Sequence, residues 1–80
     1  MEINKEIKLQ TVAKNETIAG SKVFGWKFKD YEFEYVDGDS RFDVKYPNGK
    51  WVTKKVYAKL TKAGAMTSIK QFLTIEMMGL

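Results

Sequence analysis

Between positions 41 and 62 the chain carries Arg41, Lys45, Lys50, Lys54, Lys55, Lys59 and Lys62, with Tyr46, Trp51 and Tyr57 set among them. Ammonium groups neutralise phosphates as mobile point charges, and an aromatic ring offers a face on which an unpaired base can stack. Together they are the chemistry of a surface for RNA or single-stranded nucleic acid. On this reading Arg41 and the six lysines contact the backbone, while Trp51, Tyr46 or Tyr57 meets the bases. The same spacing has a plainer meaning, in which the three rings are core and the lysines solvate a helix. Thirteen of the 14 basic residues are lysine. The planar fork that reads guanine edges is therefore nearly absent, and sequence-specific duplex readout is not expected.

A second constellation lies just upstream. Asp30, Glu32 and Glu34 alternate along one run, a pattern able to meet a basic protein partner or to repel nucleic acid from that side. Their plain role would be to protect an edge strand by charge. The charge of the chain divides sharply here. Residues 30–43 hold six acids and one arginine, whereas residues 44–62 hold six lysines and no acid. Such polarity suits the steering of a charged partner.

Other chemistry is hard to build. The chain has no histidine and no cysteine, which removes the commonest general base, the thiolate nucleophile and the usual transition-metal ligands. Asp37, Asp39 and Asp43 surround a turn, where acids ordinarily serve turn geometry and solubility. Asp37-Gly38-Asp39 also departs from a calcium loop, because Arg41 stands where a ligand is needed. Gly20-Ser21-Lys22 lacks the earlier glycine of a phosphate-binding loop. A non-enzymatic protein without cofactor or metal is the expectation.

These residues need elements to hold them. Asp37-Gly38 and Asn48-Gly49 each sit between runs that alternate apolar and polar residues, the strongest short-range sign of β-hairpins. For the first hairpin, a two-residue loop pairs Phe33 with Phe42 and Glu34 with Arg41, and a four-residue loop pairs Tyr35 with Phe42 and Glu32 with Lys45. For the second, a two-residue loop sets Tyr46 opposite Trp51 and Asp43 opposite Lys54. Upstream, Phe24, Trp26 and Phe28 share one face of a strand and read as core. Gly25 between them implies a bulge or a close backbone approach. The change of phase to Tyr31, Phe33 and Tyr35 requires a tight turn or bulge at Lys29-Asp30. Ile3 to Ala13 alternates like an edge strand, with Lys14-Asn15-Glu16 turn-like after it and Gly20-Ser21 as a further break.

Beyond Trp51 the spacing of Val56, Leu60 and Ala63 predicts a strand at 50–53 and a helix from about Lys54 to Ala63, ending at Gly64. The rival is a longer strand through Ala58. Ser68 to Gln71 fits a capping box, which favours a second helix within 66–78, although the alternation of Ile69, Leu73, Ile75 and Met77 also suits a strand. The methionines near the C-terminus, with Phe72 and Leu80, could form an adaptable contact surface or a soft core plug. The fold expected is α+β: a small antiparallel β-meander of about four or five strands packed with one or two C-terminal helices. The alternative is a mostly-β small barrel.

The chain of 80 residues reads as one domain, with 44% apolar and 30% charged residues and a net charge of +4. Met1 to Gln10 carries four charges and no apolar core of a signal peptide, and no run approaches a membrane span, so a cytoplasmic location is expected. Two further functional classes fit. One is a small inhibitor, antitoxin or adaptor of the viral or mobile-element kind that docks on a larger host protein or ribonucleoprotein. The other is a homo-oligomeric structural subunit.

Overall fold

The computed structural model describes residues 7–77. Ile3, Met78 and Leu80, which belong to the strand and the methionine-rich surface expected at the two ends, lie outside the described residues. Six strands form one open antiparallel sheet: β1 Gln10–Val12, β2 Thr17–Ile18, β3 Ser21–Phe28, β4 Tyr31–Val36, β5 Arg41–Lys45 and β6 Trp51–Lys55. One helix, α1 Lys62–Met77, packs against it. The sheet order is β1-β3-β4-β5-β6, with β2 pairing the start of β3. The fold is thus the expected small α+β meander, and the sheet does not close into a barrel.

Alternation decides the faces. Trp26, Phe33, Tyr35, Phe42 and Val44 point to the helix and are buried, with Phe24, Phe28, Tyr31 and Tyr46 packed around them. The helix answers with Ala65, Ile69 and Leu73, each four residues from the last and fully buried, and with Phe72 on the neighbouring ridge. Phe72 meets Tyr31, Phe33, Phe42 and Tyr46 edge-on at 6.0–6.5 Å, the arrangement that ring quadrupoles favour.

The turns explain the register. Lys29-Asp30 is a two-residue turn, so β3 and β4 pair without a bulge from Phe28↔Tyr31 to Val23↔Val36. The first central hairpin takes the four-residue loop, with Glu32 opposite Lys45. Gly25 marks a close approach: a Cβ there would lie 2.8 Å from Lys14 Cε and 3.0 Å from the Val12 carbonyl oxygen.

Three expectations are corrected. The second hairpin is shifted by one residue, with Lys45 opposite Trp51 and Asp43 opposite Thr53, not Tyr46 opposite Trp51. Its loop is Pro47-Asn48-Gly49, in which the Gly49 N–H donates to the Tyr46 carbonyl at 2.8 Å and Gly49 has φ 88°. This is a turn led by proline and closed by a left-handed glycine. A shift of one residue moves every β6 side chain to the other face. Second, the helix expected over 54–63 does not form, and the chain is non-helical until Lys62. Strand β6 continues to Lys55, an irregular connector follows, and Gly64 lies in the first turn of α1 instead of after a helix. Gly64 is needed there because a Cβ would come within 2.7 Å of the Lys59 carbonyl carbon and closer still to its oxygen.

Third, Ser68 is no cap. The cap is Thr61, just before the helix, whose Oγ1 accepts the Gly64 N–H at 3.2 Å, as an N-cap side chain does. Ser68 is buried inside the helix, where its hydroxyl donates to the Gly64 carbonyl at 3.1 Å and accepts the Tyr57 N–H at 2.9 Å. That pair of bonds ties the connector to α1.

Candidate nucleic-acid interface

The face of the sheet turned away from α1 gathers part of the basic run. Successive outward residues are Arg41, Asp43 and Lys45 on β5, and Trp51, Thr53 and Lys55 on β6. Arg41 faces Lys55 at one end of this hairpin and Lys45 faces Trp51 at the other. Alternate residues along a strand stand ~6.7 Å apart, so Arg41 and Lys55 lie ~13 Å along the face from Trp51 and Lys45. Trp51 is 46% exposed, unusual for tryptophan in so small a protein. Its exposure follows from the one-residue register: opposite Tyr46 it would have faced the helix. Between the charged ends, Asp43 accepts the Thr53 hydroxyl at 2.9 Å. Lys50 follows the turn and is exposed, and its N–H is held by the Asn48 side chain at 2.9 Å.

The other residues of the run divide. Lys54 points the opposite way, opposite Phe42, and its ammonium lies 5.7 Å from the centre of the Phe72 ring. Tyr46 is also on the helix side, where its hydroxyl reaches Glu76 Oε1 at 3.4 Å. Burial, then the charge of Glu76, raises the Tyr46 phenol above its ordinary value. Tyr57 is 77% exposed on the connector, and Lys59 is exposed beyond it. Lys62 opens α1 with its ammonium 5.1 Å from the centre of the Phe24 ring. Trp51, Arg41, Lys45 and Lys55 therefore share the outer face, whereas Lys50, paired with Tyr46, alternates away from it. Lys54, Lys59, Lys62 and the two tyrosines are not part of that group.

The acidic residues sit centrally. β4 lies between β3 and β5, so Glu32 and Glu34 guard no edge, and the edge-protection reading is corrected. Both are met by lysines of the same face: Lys45 lies 3.5 Å from Glu32, and Lys14 lies 2.9 Å from Glu34. The bond to Glu34 is the main cause that raises the Lys14 ammonium above its usual value, while burial works against it. Lys14 reaches Glu34 by lying across Gly25, the one residue of β3 that leaves room. Asp30 is exposed in the turn before β4. With Lys27, Lys29, Glu32, Lys45 and Pro47 it lines a polar groove of about 320 Å³ beside the Trp51 pair. Lys14 and Lys27 belong to this face and the basic run did not include them. The signal was present for Lys27, because it alternates with Trp26 and Phe28 and must point away from them.

Asp39, one of the turn acids, caps the Ser40 N–H at 2.7 Å, and its carbonyl accepts the buried Tyr35 hydroxyl at 2.8 Å. No helix among the described residues is long and apolar enough to cross a membrane. Comparison with protein-family models, with curated proteins and with solved structures finds no match to this chain.

Proposed function

We propose that the protein is a non-enzymatic binding module that takes RNA or single-stranded DNA on the outer face of the β5–β6 hairpin. The observation that carries the reading is Trp51, an exposed indole held beside Lys45, with Arg41 and Lys55 at the other end of the same face. A base stacks on the indole while Lys45, Arg41 and Lys55 follow the phosphates along the face. The near absence of arginine makes the contact indifferent to base sequence. The carboxylates of β4 are already matched by Lys14 and Lys45, which limits their repulsion of a polyanion.

The test is a salt series of binding to short oligouridine, single-stranded DNA and a duplex. Neutralising three phosphates of a single strand gives a slope of log K against log salt of about −2. Trp51→Ala should weaken single-strand binding by ~1–3 kcal/mol and leave the salt slope in place. Arg41→Gln with Lys55→Gln should flatten the slope. Absence of binding at low salt, or an affinity untouched by Trp51→Ala, would remove the proposal.

One observation favours a second reading, docking on a larger protein as an inhibitor or adaptor. Tyr57 and Leu60 are 77% and 48% exposed on the connector, away from the Trp51 group. Capture of a stoichiometric protein partner after nuclease treatment, lost in Tyr57→Ser with Leu60→Ser, would favour it over the first.

A further inference from the structure

The opposite end of the sheet, on the helix side, holds a second group of cations. β1 pairs β3 as far as Val12↔Gly25, and β2 resumes the pairing at Thr17↔Lys22. Residues 13–16 swing outward between the two, with the Val23 N–H reaching the Glu16 carbonyl at 3.3 Å. The swing leaves a cleft of about 210 Å³ bounded by Val12, Lys14, Asn15, Lys22, Phe24 and Lys62. Two ammonium groups converge on its aromatic wall. Lys22 Nζ lies 5.3 Å and Lys62 Nζ 5.1 Å from the centre of the Phe24 ring. Neither is paired with a carboxylate among the described residues, whereas Lys14 in the same wall is bound to Glu34. Two like charges drawn to one ring repel each other, and an anion between them reverses the sign of that interaction.

We infer that Lys22 and Lys62 form a site for a phosphate monoester above Phe24. A dianion matches two ammonium groups, and its several oxygens can accept from both at once. The cleft has room for such a group together with water, whose share of liquid volume is about 30 Å³. The site stands apart from Trp51, which lies on the other face, at the other end of the sheet and on the far edge strand. Lys22 played no part in the basic run; it joins Lys62 only because α1 begins over β3. The phosphate can come from a free metabolite or from the 5′ end of a nucleic acid.

The experiment is a titration with inorganic phosphate at fixed ionic strength, followed by NMR of the lysine side chains and the Phe24 ring. Saturable shifts are expected at Lys22, Lys62 and Phe24. In the Lys22→Gln, Lys62→Gln double variant, with its backbone spectrum unchanged, affinity should fall about tenfold or more. Trp51→Ala should leave the titration as it was, which separates this site from the stacking face. An oligonucleotide bearing a 5′ phosphate then tells the source. Tighter binding than its 5′-hydroxyl twin, lost in the double variant, assigns the site to nucleic-acid ends. Equal binding of the two, with phosphate still saturating, assigns it to free phosphoesters. Shifts spread evenly over all exposed lysines, or a double variant that binds phosphate as before, would overturn the inference.

Discussion

The two faces of the sheet are made by the same strands and have opposite chemistries. Toward α1, residues such as Trp26, Phe33, Phe42 and Val44 are almost wholly buried. Away from it, Lys45, Glu32, Asp43, Lys55 and Trp51 form ladders of charge with one exposed ring. Each face also carries one of the two tryptophans, so the same residue type is core on β3 and surface on β6. The difference lies in phase alone. Trp26 alternates with Phe24 and Phe28 beneath the helix, whereas Trp51 is turned outward by a three-residue loop. Residue type does not decide between packing and recognition here; register does.

The largest expected effect sets those two residues against each other. Trp26→Ala should cost ~3–5 kcal/mol, much of the whole stability of a chain this long. Trp51→Ala should shift stability by no more than ~0.5 kcal/mol. Equal losses in a urea titration would mean that Trp51 packs after all. Acrylamide quenching gives an independent check, since fluorescence of Trp26→Phe should be readily quenched and that of Trp51→Phe protected.

Ser68→Ala comes next. It leaves the Tyr57 N–H without its acceptor and should cost ~1–2 kcal/mol. If the connector is loosely held, hydrogen exchange at Tyr57 will be no faster in the variant than in the parent, and that result would break the link between Ser68 and the connector.

A gain is expected at the β2–β3 turn. Ala19 has φ 52° and Gly20 φ 83°, and in that region a residue with a Cβ is strained unless its side chain is that of asparagine or aspartate. Ala19→Asn restores the preferred hairpin pair and should raise stability by ~0.5–1 kcal/mol, read as a higher midpoint in thermal unfolding.

The smallest effect at ordinary pH concerns Tyr35 and Tyr46, both on the helix side. Burial raises the Tyr35 phenol above its ordinary value, with Asp37 and Asp39 adding to the rise, and burial with Glu76 raises Tyr46. In the unfolded chain these phenols lose their protons near pH 10, before the folded chain does. The folded state then binds more protons, so stability falls as pH rises through that range and is unaffected well below it. Phenolate absorbance should show two tyrosines ionising late, and Tyr35→Phe with Tyr46→Phe should flatten the loss at high pH.

Much of this was legible from the chain. Asp37-Gly38 and Asn48-Gly49 named the hairpins, and Phe24, Trp26 and Phe28 named the buried face of β3. The register of the second hairpin was not recovered, because Asn-Gly serves both a two-residue turn and the end of a three-residue one. Pro47 was the available clue, since proline suits the second position of a type I turn. The helix was displaced for a related reason: Lys55, Lys59 and Lys62 fall at helical spacing, yet they belong to a strand, a connector and a helix start in turn. Thr61 carried the true cap, while Ser68 showed the more familiar pattern three residues before a glutamine. The pairing of Lys22 with Lys62 depends on where α1 crosses the sheet, and no local pattern encodes that crossing.

Lys54 has one more consequence. As the chain is synthesised, the sheet through Lys55 is complete before α1 exists, and its aromatic face waits uncovered. During that interval β6 is an open edge beside an apolar surface, the condition under which nascent chains pair with each other. A charge turned inward from that strand, directly opposite Phe42, makes a second copy stacked there bury an ammonium. The same lysine that later rests on Phe72 therefore first serves as a guard against aggregation. A chain stopped at Lys55 should stay dispersed with Lys54 in place and precipitate with leucine there.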